Sequence, residues 1–130
     1  MLTNSPVTPT LAVTDLKRAR DFYEGKLGLR PDASMTDEMG VLYNAGEGTN
    51  LYLYLRPNPS TADNTQVSFR VLDIEKSMDE LLANGVSFEH YDMPEMGLKT
   101  DEKGVAVMGK VKSAWFKDPD GNILSIMQVS

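Results

Sequence analysis

Cysteine is absent from this 130-residue chain, and histidine and tryptophan each occur once. Without a thiol there is no disulfide framework and no thiolate to hold a metal or attack a substrate. The lone His90 is a poor signal for a metal site. Long apolar runs are missing too. Stretches such as Val105-Ala106-Val107-Met108 fall far short of the roughly 20 residues a membrane-crossing helix needs. Residues 1–10 show neither a basic nor an apolar leader region, so the expected location is the cytoplasm, with no membrane partner. Cations are the minority charge: thirteen Lys and Arg face nineteen Asp and Glu, giving −6, with −2 over residues 1–64 and −4 over 65–130. That balance argues against nucleic acid as a partner and suits solubility.

What is present is duplicated. Thr10-Leu11-Ala12-Val13 precedes Asp15-Leu16 and a helical pattern ending at Leu27-Gly28-Leu29. Ser68-Phe69-Arg70-Val71 precedes Asp73-Ile74 and a second pattern ending at Asn84-Gly85-Val86, the two Asp residues lying 58 apart. Apolar residues recur at helical spacing as Leu16, Ala19, Phe22, Tyr23 and Leu27, then as Ile74, Met78, Leu81, Leu82 and Val86. Asp15 and Asp73 stand where N-caps belong, and Gly28 and Gly85 where left-handed terminators belong. With 41% hydrophobic residues the chain suffices for one domain or two small modules sharing one core. The expected division is residues 1–60 and 61–130, with the Pro-, Asn- and Ser-rich stretch Pro57–Asn64 as linker.

After each helix comes strand-like alternation. Strands are expected at Val41–Ala45 and Thr49–Leu55 around Gly46-Glu47-Gly48, more weakly at Pro31–Thr36, then at Val86–Tyr91, Val105–Met108, Ser113–Lys117 and Asn122–Val129. Asp118-Pro119-Asp120-Gly121 is a turn by composition. The strands carry a period-2 code: Leu11 and Val13 against Thr8, Thr10 and Ala12; Leu51, Leu53 and Leu55 against Tyr52 and Tyr54; Val67, Phe69 and Val71 against Gln66, Ser68 and Arg70. The apolar face must meet the helix stripes, leaving the other for a ligand or solvent.

The string Leu11-Ala12-Val13-Thr14-Asp15-Leu16, with Asp21-Phe22-Tyr23 and Lys26-Leu27-Gly28-Leu29, resembles the opening of a vicinal oxygen chelate module. Phe116-Lys117-Asp118-Pro119-Asp120-Gly121-Asn122 is similar to the hairpin closing the second module of that superfamily of glyoxalases, bleomycin resistance proteins and dioxygenases. The resemblance implies an α+β fold: two tandem βαβββ modules form a curled eight-stranded sheet around a cavity, with the helices outside. It also implies metal-ligand positions at Thr8, at Tyr52 or Tyr54, at Gln66 and at Ser125. None of these is His or Glu, and Thr, Tyr, Gln and Ser are poor neutral substitutes, so no metal and no cofactor is expected.

The candidate ligand-binding residues are therefore Thr8, Thr10, Tyr52, Tyr54, Gln66, Ser68, Trp115 and Ser125, a polar and aromatic set able to stack a planar ligand and hydrogen-bond its edges. No acid–base pair is readable, and the catalytic residues stay unassigned. Trp115 either lines the same surface or fills a core. Arg70 either meets an anionic group or forms a surface salt bridge. Residues Gly97–Gly104 make either a lid or a long hairpin connection, and Met35, Met39, Met93 and Met96 fall in predicted loops. The leading expectation is a metal-independent small-molecule-binding protein of the bleomycin-resistance type, sequestering an antibiotic or metabolite. The resemblance implies a homodimer, paired within one chain or by domain swapping. The alternative is a lyase, isomerase or dioxygenase-like enzyme with displaced catalytic residues, and a third reading is a module kept for protein association.

Overall fold

The computed structural model describes residues 1–130, which separate into two units, Met1–Thr61 and Ala62–Ser130. The fold is mixed α+β. In the first unit the elements are β1 (Thr10–Val13), α1 (Leu16–Arg20), β2 (Arg30–Pro31), β3 (Gly40–Asn44) and β4 (Asn50–Leu55). They form one sheet in the order β1-β4-β3-β2, with β1 parallel to β4 and the other neighbours antiparallel. The second unit holds β5 (Thr65–Arg70), α2 (Ile74–Ala83), a two-stranded hairpin of β6 (Asp92–Met93) and β7 (Leu98–Lys99), then β8 (Ala106–Met108), β9 (Val111–Lys117) and β10 (Ile123–Val129). Its main sheet repeats the first one's order as β5-β10-β9-β8, again with the outer parallel pair β5 and β10. Duplication in the sequence is thus duplication in topology.

Each helix begins where its Asp stands. The Asp15 carboxylate accepts from the Arg18 amide at 3.0 Å and Asp73 from the Lys76 amide at 3.1 Å, satisfying donors that the first helical turn leaves without intrahelical partners. Both helical runs end at glycines in the left-handed region, Gly28 at φ 75° and Gly85 at φ 89°. Gln128 on β10 adds a second tie by accepting from the Ile74 amide at 2.9 Å. The first helix is α-helical only to Arg20 and continues as a π-helical segment over Asp21–Lys26. In that wider turn the consecutive Phe22 and Tyr23 are both buried, their rings in an edge contact at 5.4 Å.

The period-2 code is obeyed. Leu11, Val13, Val41, Tyr43, Leu51 and Leu53 are buried in the first unit, whereas Tyr52 and Tyr54 between them remain partly accessible. In the second unit Leu124, Ile126, Ala114 and Phe116 are buried together with Ile74 and Met78 of α2. Leu82, expected on the α2 stripe, is instead 47% exposed, because the stripe turns past it to Leu81.

Two other expectations are corrected. Val86–Tyr91 is not a strand: it meets the sheet only at the bridge Phe88–Phe116 and through the Glu89 amide to the Trp115 carbonyl, although Val86 and Phe88 are buried. Pro31–Thr36 shortens to β2, since the Asp32 side chain accepts from the Ser34 amide and closes a 3-10 turn over Ala33–Met35. The connection expected at Gly46–Gly48 is found there, as a 3-10 turn with Glu47 at φ 56°.

Burial sets an expected ranking on β4. Replacing the fully buried Leu53 by Ala empties a core position and costs about 2–5 kcal/mol. The double change Tyr52→Ala/Tyr54→Ala truncates rings that are partly in solvent and leaves stability nearer wild type. Urea unfolding of the two variants checks this, and equal losses would contradict the face assignment.

Candidate functional site

In the first unit the strand register lines up the side chains that face away from the helix. Thr10 pairs with Tyr52, which pairs with Leu42; Ala12 pairs with Tyr54, which pairs with Gly40. Thr10, Tyr52 and Tyr54 therefore share one surface. The Tyr52 ring lies diagonally over Gly40: a Cβ there would collide with the Tyr52 hydroxyl and stand 2.7 Å from the Leu53 carbonyl oxygen. Glycine is what lets the ring lie down on the sheet. Thr8 is exposed and precedes β1, its carbonyl accepting from the Thr10 hydroxyl at 3.1 Å.

In the second unit the corresponding face carries the row Ser68, Ser125, Trp115. The Ser125 hydroxyl donates to that of Ser68 at 2.7 Å, and the Trp115 indole N–H donates to the Thr65 hydroxyl at 3.0 Å. Trp115 is only 9% exposed, clustered with Ala106, Ile123, Tyr91 and Leu98. Tyr91 meets its ring edge-on at 5.6 Å. Of the two readings of Trp115, the geometry supplies a small core on the sheet face away from α2, roofed by the residues that flank and form the β6–β7 hairpin. The base of that hairpin is clamped: the Tyr91 amide donates to the Thr100 hydroxyl at 2.8 Å, and the Thr100 amide and hydroxyl both return bonds to the Tyr91 carbonyl. Burial, aided by the Glu89 carboxylate, raises the Tyr91 phenol above its ordinary pKa.

Gln66 stands apart from the Ser68 row. The pairing with β10 slips there, Ile123 facing Thr65 and Leu124 facing Val67, which leaves Gln66 as the extra residue of a bulge. Its amide donates to the Asn122 side chain at 3.1 Å. Asn122 is itself held by Asp118, whose carboxylate accepts from the Asn122 amide and side chain and from the Asp120 amide. The composition of residues 118–121 marked the turn. The buried Asp118–Asn122–Gln66 chain needs the fold to be seen.

A fit to a divalent cation fails on chemistry. Thr8, Tyr52, Gln66 and Ser125 offer only neutral oxygens, the Ser125 hydroxyl is bonded to Ser68 and the Gln66 side chain is held by Asn122 through its amide N–H, and no three His, Asp or Glu side chains are grouped to hold a metal. His90 is exposed, with Nε2 3.1 Å from the Glu102 carbonyl oxygen. A cleft of about 620 Å³ does occur in the first unit, yet it lies on the helix side, lined by Lys17, Arg20, Asp21, Glu24, Asp37 and Glu38 among others. Its charges are largely spent on each other. Lys17 pairs with Asp21, Arg20 with Glu24, and Glu24 also accepts from the Tyr43 hydroxyl at 2.9 Å. Burial and then this bond push the Tyr43 phenol well above its ordinary range, so it stays a neutral donor. The i, i+4 spacing of Arg20 and Glu24 was readable in the chain; the arrival of Tyr43 was not.

The sole tryptophan reports on its roof. Tyr91→Ala uncovers the indole, so emission should move to longer wavelength and iodide should quench it more strongly. Emission unchanged from wild type would contradict the packing of Tyr91 on Trp115.

No curated protein matches this sequence. Among solved structures, an antibiotic binding protein, TnmS3 from Streptomyces sp. CB03234, superposes with a TM-score of 0.71 at 23% identity, covering 100% of this chain and 99% of its own. A superfamily member from Sphaerobacter thermophilus gives 0.66 at 23% identity, covering 98% and 99%. The fosfomycin resistance protein FosX from Listeria monocytogenes gives 0.67 at 14%, covering 98% and 94%. At these identities the likeness is one of fold. The family model for the glyoxalase/bleomycin resistance protein/dioxygenase superfamily matches residues 6–126, nearly the whole length, and the chain belongs to that superfamily.

Proposed function

We propose that this chain is a metal-independent small-molecule-binding protein that sequesters a planar ligand on the sheet faces turned away from its helices. The observation that carries this reading is the chemistry of those faces. Thr10, Tyr52 and Tyr54 in the first unit combine accessible ring surface with hydroxyl donors and acceptors, and in the second the exposed Ser68 and the partly exposed Tyr91 ring stand over the buried Ser125 and Trp115. No carboxylate or imidazole stands on the paired strands of either face, and the Glu89 carboxylate that reaches this side of β9 is paired with Lys117 at 3.3 Å. Support also comes from the named activities of two structural relatives, antibiotic binding in one and fosfomycin resistance in the other.

A homodimer belongs to the same reading. Strand β8 pairs on one side only in its sheet, and Val107 (64%) and Met108 (42%) on it are exposed, an apolar edge of the kind that associates.

One preparation tests the reading. Purified without chelator, the protein should carry no stoichiometric Zn, Ni, Fe or Mn, sediment as a dimer at micromolar concentration, and bind planar aromatics in a ligand screen. Tyr52→Ala/Tyr54→Ala should weaken the tightest of these about tenfold to hundredfold, each stacking contact being worth about 1 kcal/mol. One metal per chain would overturn metal independence, a clean monomer the dimer, and unchanged affinity without the two rings the proposed surface.

A further inference from the structure

The chain has five arginines, and their partners divide them sharply. The two on α1 are occupied: Arg18 donates to the Thr14 hydroxyl at 3.1 Å and Arg20 to Glu24 at 2.6 Å. Arg30, Arg56 and Arg70 make no side-chain hydrogen bond or ion pair. All three are exposed and stand on, or in line with, the faces away from the helices: Arg30 opposite Asn44, Arg56 two residues past Tyr54, and Arg70 opposite Met127. The expectation of a surface salt bridge for Arg70 is therefore not met. In a chain of net −6, cations left without carboxylates on one kind of surface are an unspent electrostatic resource.

Arg70 is the best placed of the three. It follows Ser68 by two residues on the same face of β5, so the two side chains rise about 7 Å apart along the strand. The Ser68 hydroxyl accepts from Ser125 and keeps its own proton to give. The next side chain in the Ser68 row beyond Ser125 is Trp115. A long, exposed guanidinium two residues along one strand face from an exposed hydroxyl donor can supply the two donors that a carboxylate accepts, and the partly exposed Tyr91 ring over Trp115 offers apolar surface along the same row.

We propose that this face of the second unit carries a carboxylate subsite formed by Arg70 and Ser68, and that the ligand class is planar aromatic carboxylic acids. The proposal deepens the small-molecule reading and rests on it.

The test uses matched probes, 2-naphthoate and its uncharged analogue 2-naphthamide, titrated into the full chain and followed by the single Trp115 indole N–H signal in NMR spectra. Wild type should bind the acid about tenfold more tightly than the amide, the size of one partly exposed charge-assisted contact. Added salt should weaken the acid alone. Arg70→Gln should erase the preference by lowering acid affinity to that of the amide, Arg70→Lys should keep part of it, and Ser68→Ala should reduce it. Arg70 is exposed, so these variants should unfold at the wild-type denaturant midpoint. Equal binding of acid and amide to wild type, or a preference that survives Arg70→Gln, overturns the subsite and leaves the small-molecule reading standing. Failure of wild type to bind either probe counts against both.

Discussion

Every second residue of β4 must lie beneath the first helix, and almost everything else about the surface follows from that. Leu51 and Leu53 are the residues pinned there, packed in the same buried layer as Leu11, Val13, Val41 and Tyr43. A strand has only two faces, so pinning one sends Tyr52 and Tyr54 to the other with no freedom to choose. The same constraint acts through Phe116, Leu124 and Ile126 in the second unit and delivers Ser68, Ser125 and Trp115 to the opposite side. A slip of one residue would exchange the buried layer for the face away from the helices. Capping by Asp15 and Asp73 and the left-handed stops at Gly28 and Gly85 matter because they fix where each helix begins and ends over its sheet.

Local rules made this much legible before any coordinates. Capping, helix termination, alternation and the Asp118–Gly121 turn each depend on a few neighbouring residues, and each is found where the chain placed it. What local rules could not supply came from contacts distant in sequence. Val86 and Phe88 are buried as a strand's would be, yet Val86–Tyr91 meets β9 at only one bridge. Gln66 alternates correctly on paper, but the bulge at Thr65–Val67 and the bond to Asn122 draw it toward the turn, out of the Ser68 row. Thr8 falls short of β1 altogether. The Trp115 ring could be read as lining or as core, and it is a core on the face away from α2 because Tyr91 and Leu98 fold over it.

Charge is sorted by the same geometry. On the helix side of the first unit Lys17, Arg20, Asp21, Glu24 and Tyr43 satisfy one another. In the second unit Lys103 spans Glu75 and Asp79 of α2, and the loop it comes from is ordered by the Asp101 carboxylate. That carboxylate accepts from the amides of Lys103, Gly104 and Val105 and has its pKa lowered by them. The opposite faces carry rings, hydroxyls and arginines without carboxylate partners.

The absence of cysteine permits a direct test that strand parity separates the buried layer from the face away from the helices. Single cysteines placed in turn at Leu51, Tyr52, Leu53 and Tyr54 of β4, and at Val67, Ser68, Phe69 and Arg70 of β5, can be timed in their reaction with a soluble thiol reagent under native conditions. The account predicts alternation, with fast labelling at 52, 54, 68 and 70 and slow labelling at 51, 53, 67 and 69. Fast labelling at 51 and 53 with protection at 52 and 54, or uniform labelling along either strand, would contradict it.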